Sequence, residues 1–89
     1  MFNTEIIKNK NAFVSGATGA IGKAIAIDLA KSGCNLFLTA TDYISLEKLA
    51  TELSIHNVNV TYAAANLSNK NDIYYVINEV KRSNIAVDI

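Results

Sequence analysis

The feature that most constrains this chain is the run Val14-Ser15-Gly16-Ala17-Thr18-Gly19-Ala20-Ile21-Gly22, which holds three of its four glycines at a spacing of three. The apolar stretch Ala12-Phe13-Val14 precedes it, and Lys23 to Ala30 follows with a helical pattern. A strand, a glycine loop and a helix start in that order form a phosphate cradle. Glycines permit the tight turn and leave no side chain between the backbone and a ligand. The unpaired N–H groups and positive dipole end of the helix then face the anion. The same residues without a ligand are an ordinary glycine turn, so the rest of the chain has to decide between the two.

Taken in order, residues 1–10 read as a polar, irregular lead-in that partly covers the sheet edge. Asn11 to Ser15 reads as a strand apolar on both faces, as buried parallel strands are. A helix is predicted from about Ala20 to Ser32, with Gly33 at the left-handed position that ends it. Asn35 to Ala40 is a second buried strand, and Asp42 or Ser45 caps the next helix. There Tyr43, Leu46, Leu49, Ala50 and Leu53 form one apolar stripe. Ile55-His56-Asn57 is a connector, with His56 read as solvated and Cys34 as a small packed residue. Val58, Val60 and Tyr62 alternate into a third strand that continues through Ala63-Ala64-Ala65. Ser68 is expected to cap a third helix, whose Ile73, Val76, Ile77 and Val80 share a face. Ile85 to Ile89 then begins a fourth strand.

The β-α-β-α-β-α-β alternation predicts an α/β fold, a parallel sheet with helices on both faces. Right-handed crossovers and a dinucleotide-type loop favour strand order 3-2-1-4 in an incomplete Rossmann-type sheet. Residues 1–89 are expected to be the N-terminal part of one dinucleotide-binding domain.

Eight basic and eight acidic residues are scattered along the chain, and no basic stripe points to nucleic acid or a membrane surface. No apolar run approaches the ~18 residues of a membrane helix. Met1 to Lys8 lacks the pattern of a secretory signal. The single Cys34 gives neither a disulfide framework nor a cysteine metal cluster. The expected setting is the reduced cytoplasm.

Val14 to Gly22, the helix Lys23 to Ala30, and Gly33 before the second strand together resemble the short-chain dehydrogenase/reductases. The family loop is Thr-Gly-x-x-x-Gly-x-Gly; Ser15-Gly16 and Gly22 fit it, and Ala20 replaces its middle glycine. Ala65-Asn66-Leu67-Ser68 is similar to the Asp-hydrophobic-Ser/Thr motif after the third strand. Val87-Asp88-Ile89 resembles the opening of the fourth strand. The helix Ser45 to Leu53 is most similar to that of the 3-oxoacyl-[acyl-carrier-protein] reductases of fatty acid synthesis. The resemblance runs over residues 8–89. Gly16-x-x-Gly19-x-x-Gly22 also fits the extended branch, the sugar-nucleotide epimerases and dehydratases, which have little helix after the second strand.

The resemblance implies that the backbone at Gly16, Ala17, Thr18 and Gly19 surrounds the pyrophosphate and adenosine ribose of the dinucleotide. It implies further that Ile21 lies near the nicotinamide and that Gly22 lets helix and strand close up. Asn66 stands where the family has an aspartate accepting from the adenine amino group, with Leu67 beside it; an amide oxygen also accepts. An acid after the second strand reads the NAD ribose, whereas an arginine nearby accommodates the NADP phosphate. Ala40 holds the acid's place and Thr41 the arginine's, so NADP is favoured over NAD with Lys23 or Thr41 assisting.

The family's catalytic serine and Tyr-x-x-x-Lys have no counterpart here. Tyr43, Tyr62, Tyr74 and Tyr75 are followed four residues later by Glu47, Asn66, Asn78 and Glu79. The family domain runs to roughly 200–250 residues, so the expectation is a truncated, inactive part of an oxidoreductase that self-associates or meets a complementing C-terminal chain. The reading from another class is a non-catalytic nucleotide-binding or interaction module.

Overall fold

The computed structural model describes residues 7–83 and 86–89. Three strands, β1 (Asn11–Ser15), β2 (Asn35–Ala40) and β3 (Val60–Ala64), alternate with helices α1 (Ala20–Lys31), α2 (Tyr43–Leu53) and α3 (Lys70–Arg82). The sheet is parallel, with β2 central: Asn11 faces Asn35, and Leu36 faces Val60. Residues 86–89 run along the free edge of β1. There the Ile89 N–H donates to the Asn11 carbonyl at 3.1 Å, and the Phe13 N–H donates to the Ile89 carbonyl at 2.8 Å. These two bonds are the slanted pair of a parallel ladder with Ile89 opposite Ala12. The described order is therefore 3-2-1, with the segment to Ile89 entering the fourth position. Ile85 and the first six residues of the lead-in lie outside the described residues.

The side-chain alternation of β2 divides the core. Leu36 and Leu38 point to one face with Ala12 and Val14, where they meet Ala26, Leu29 and Ala30 of α1 and Leu46, Leu49 and Leu53 of α2. Phe37 points to the other, with Ala63, Ala65 and Val76 of α3. The layering follows from handedness. Right-handed crossovers from β1 to β2 and from β2 to β3 keep α1 and α2 on one face, and the return from β3 past β1 sends α3 to the opposite one. Ile7, at the end of the lead-in, belongs to the α1–α2 core. Each fully buried leucine of that layer contributes roughly 1.5–3 kcal/mol.

Local chemistry sets the helix ends. Ser32 caps the C-terminus of α1, and Gly33 follows at φ 86°. Asp42 caps α2, accepting from the Ile44 N–H at 3.0 Å and the Ser45 hydroxyl at 2.9 Å. The connector contains a short 3₁₀ turn, Ser54–His56, which Asn57 ends in the left-handed conformation. His56 is half-buried rather than freely solvated. Cys34 is fully buried, its thiol donating to the Lys10 carbonyl at 3.2 Å. Burial first and Asp88 second raise its pKa, so it is a packing residue and not a reactive thiolate.

Three expectations change. The cap of α3 is Asn69, whose side chain accepts from the Asn71 and Asp72 N–H groups, and not Ser68. The Ser68 hydroxyl is held instead by the Asn66 side chain at 2.6 Å, which moves the cap one residue on. On α3 only Val76 of the expected stripe is buried; Ile73 and Ile77 are 39% and 42% exposed. Beneath that helix the stacked rings of Phe13 and Phe37, 5.8 Å apart, meet it over a narrow strip. Tyr43, assigned to the stripe of α2, is exposed and tilts against Tyr62 at 5.8 Å.

The Asp42 carboxyl is held below its ordinary pKa by the Ser45 hydroxyl, then by the Ser45 and Ile44 amides. A lowered folded-state pKa means that its stabilising contribution is complete above the ordinary value of 3.8 and is lost as pH falls through the folded value. Asp42→Asn keeps a capping oxygen that does not titrate. Urea melts between pH 6 and about 3 should therefore show a shallower acid loss for the variant, below the ordinary aspartate range. Identical acid limbs would refute this role.

Candidate functional site

At the C-terminal ends of the strands the backbone opens into a cleft of about 330 Å³, lined by Ser15, Gly16, Thr18, Thr39, Ala40, Thr41, Ala65 and Leu67. Its lining comes from the C-terminal ends of β1, β2 and β3 and the loops that follow them. Ligands of open α/β sheets bind in crevices outside the carboxyl ends of the strands. The sheet edge supplies the floor, and the glycine loop supplies one rim.

The loop owes its shape to two glycines. Gly16 turns the chain out of β1 at φ 61°, a conformation costly for a residue with a Cβ. A Cβ built there meets nothing within 4 Å, so the space above its backbone is open. Gly22 is the opposite case. Its Cβ would stand 2.1 Å from the Gly16 carbonyl oxygen and 2.8 Å from the carbonyl carbon. Only glycine allows the first turn of α1 to lie this close to the loop.

Each residue singled out in the sequence has a definite place. Ala17 is fully buried, and its N–H donates to the Thr39 carbonyl at 3.1 Å, tying the loop to β2. The Gly19 N–H donates to the Gly16 carbonyl at 3.0 Å, and Gly19 stands at the N-cap of α1. Those two amides are occupied. The N–H groups of Ala20, Ile21 and Gly22 find no acceptor among the described residues and lie in the first turn of the helix. Thr18 and Thr41 line the cleft. Ile21 is not among its lining residues, and its side chain is 78% exposed.

Leu67 walls the cleft, but Asn66 is not among its lining residues. The Asn66 side-chain oxygen accepts from the Ser68 N–H at 3.0 Å and from its hydroxyl, while the Asn66 N–H donates to Asp72 at 2.7 Å. In this conformation the amide oxygen is turned into its own loop. Thr39 and Ala65 were missed as site residues. Thr39 lies on a buried strand at the alternate position to Leu38, so its period-two placement at the strand end was the available signal.

The lining combines hydroxyl side chains, Ser15, Thr18, Thr39 and Thr41, with the apolar Ala40, Ala65 and Leu67. The Thr39 side-chain oxygen is buried and has no hydrogen-bond partner among the described residues. Among the described residues no charged side chain lines the cleft, so none of their carboxylates repels a phosphate there. Asp42, two residues beyond Ala40, directs its oxygens into the α2 cap.

The short chain dehydrogenase family matches residues 10–89. The chain belongs to the short-chain dehydrogenase family. An uncharacterized oxidoreductase of Listeria monocytogenes is 33% identical over 66 residues, which cover 74% of this chain and 27% of that protein. The alcohol dehydrogenase of Thermococcus sibiricus, solved with 5-hydroxy-NADP, is 34% identical with a TM-score of 0.86, over 91% of this chain and 35% of its own. L-sorbose reductase of Gluconobacter frateurii, solved with NADPH and L-sorbose, is 29% identical with a TM-score of 0.87, over 92% of this chain and 32% of its own. The chain thus spans about a quarter to a third of the length of these short-chain dehydrogenase relatives. Among the described residues no helix is long and apolar enough to cross a membrane.

Two substitutions test the short-chain dehydrogenase loop. Gly22→Ala should cost about 2–3 kcal/mol in urea denaturation, as overpacking against backbone does. Gly19→Ala, whose Cβ meets the Gly16 carbonyl at an ordinary 3.4 Å, should cost less than about 1 kcal/mol. Equal costs would contradict the close approach at Gly22. Thr39→Val removes the unpartnered hydroxyl and should stabilise the ligand-free chain by about 1 kcal/mol. A loss of stability would mean that the hydroxyl is satisfied.

Proposed function

We propose that residues 1–89 form the N-terminal, dinucleotide-binding part of an NADP-dependent short-chain dehydrogenase acting in the cytoplasm. The observation that carries this reading is the open cleft above Gly16, beside three free amides and a glycine whose Cβ has no room. The Ala20, Ile21 and Gly22 amides donate to the pyrophosphate, where the positive end of α1 adds to their attraction. Gly16, Thr18 and Gly19 border the pyrophosphate and ribose, and Ala17 holds that border to β2. Thr41 lies beside the ribose, and Leu67 covers the adenine. Asn66 accepts from the adenine amino group after its side chain leaves Ser68. Ile21 excludes water at the nicotinamide end.

When bound, NADPH would supply the hydride that reduces a ketone to an alcohol, and NADP+ would accept it in the reverse direction. NADP is preferred because Ala40 stands where an NAD-reading acid would be and, among the described residues, no carboxylate lines the cleft. NADPH-bound relatives such as L-sorbose reductase support the preference. The helix Tyr43–Leu53 favours the reductase branch over the extended branch, with a 3-oxoacyl thioester as the substrate class. Exposed Ile73, Ile77, Val87 and Ile89 are apolar surface for self-association or for a complementing C-terminal chain.

A non-catalytic nucleotide-binding module is the second reading, favoured by the lack of Tyr-x-x-x-Lys in these residues. Titration with NADPH, followed by its fluorescence, should give a saturable signal that Gly16→Val abolishes by filling the open space above the loop. No signal at millimolar NADPH would refute the cleft assignment. DNA beyond codon 89 separates the two readings. A frame encoding Asn-Ala-Gly, a serine and Tyr-x-x-x-Lys supports the dehydrogenase, and unrelated sequence supports the module.

A further inference from the structure

The loop after β3 closes one end of the cleft. Ala65 and Leu67 line it, and Asn66 stands exposed between them. In a dinucleotide site the pyrophosphate lies at the helix N-terminus and the ribose at the end of the second strand, so the base reaches the loop beyond. Here that path runs from Gly16 past Thr41 to Leu67. The orientation of the Asn66 amide is fixed by its neighbours. Its two ends have the same shape, and the groups around them decide which is the oxygen. The Ser68 backbone N–H is only a donor and lies 3.0 Å from one end, so that end is Oδ1. The Ser68 hydroxyl donates to the same atom at 2.6 Å. From the other side the Asn66 N–H donates to the Asp72 carboxylate at 2.7 Å, which ties the loop to the first turn of α3. The remaining end, Nδ2, finds no acceptor among the described residues.

We infer that Asn66 presents a donor to the base, and that the chain binds dinucleotides of a 6-oxopurine more tightly than those of adenine. This rests on the dinucleotide reading of the cleft. Hypoxanthine and guanine carry an acceptor oxygen at C6, whereas adenine carries an amino donor there. Nδ2 meets the first as donor to acceptor and the second as donor to donor. Adenine gains an acceptor only when the amide leaves Ser68, which gives up both bonds to Oδ1. A 6-oxopurine leaves those bonds in place. A carboxylate at this position would face no such choice, because one oxygen could keep Ser68 while the other accepts from the amino group. Ser68 is thus a positioning residue that acts through Oδ1. Leu67 covers the flat face of either base and does not discriminate, since every base has such a face.

The test titrates NADPH and its hypoxanthine analogue, in which oxygen replaces the 6-amino group, into the 89-residue chain and follows nicotinamide fluorescence. The two probes share every other group, so the ratio of their affinities isolates the base. The hypoxanthine form should bind about fivefold more tightly, the worth of one neutral hydrogen bond. Asn66→Asp should reverse the ratio in favour of NADPH, and Asn66→Ala should bring it to about twofold or less. Ser68→Ala loosens the hold on Oδ1 and should shrink the preference of the unmodified chain. Both side chains are exposed, and circular dichroism verifies that the variants are folded. Because each ratio is taken within one protein, a uniform loss of affinity in a variant cancels. Equal affinities or tighter NADPH binding by the unmodified chain, or a ratio unmoved by Asn66→Asp, overturns the base preference and leaves the cleft standing. Failure of both probes to bind overturns the cleft reading and the base preference with it.

Discussion

The approach of Gly22 to the Gly16 carbonyl is the constraint from which the rest of the molecule follows. A methyl group at Gly22 would overlap the Gly16 backbone. With that contact in place, α1 starts close above the end of β1, and its first amides point across the mouth of the sheet. The tie from the Ala17 N–H to the Thr39 carbonyl fixes the loop to the neighbouring strand as well. The loop is thus held by the core rather than draped over it. A backbone cradle held this way needs no charged side chain to favour an anion, because aligned peptide dipoles supply the field.

The two faces of the sheet differ in how they are closed. On one face α1 and α2 bury a continuous leucine and alanine layer against Leu36 and Leu38. On the other, α3 rests on Phe13, Phe37 and small alanines, and much of its apolar surface is open. The difference follows from topology. Two crossovers serve the first face and one serves the second, so a single helix covers a sheet two helices wide. The segment to Ile89 gives β1 a partner on its outer side.

Much of this was legible in the residues. The three described strands and three helices fall within a residue or two of the pattern read from apolar runs and glycines, and the parallel order follows from the alternation. What misled was side-chain competition at the third helix. Asn66, Ser68 and Asn69 can all cap, and spacing alone does not say that Asn66 would bind Ser68 and leave Asn69 to the helix. Periodicity likewise marked Ile73 and Ile77 as inward-facing. A stripe gives the direction of a helix face, and only the opposing surface determines how much of it is covered.

For the site the division is similar. Local sequence alone determined that a glycine loop sits between a strand and a helix, because backbone torsions and the absence of Cβ atoms are properties of neighbouring residues. It also determined the missing acid at Ala40, which is a matter of register. Only the tertiary structure decided which loop amides remain free, since Ala17 is claimed by Thr39 from a strand more than twenty residues away and Gly19 by the turn itself. Ala17 and Thr39 lie on separate segments whose distance is set by strand pairing in a common sheet, and no local pattern records that distance.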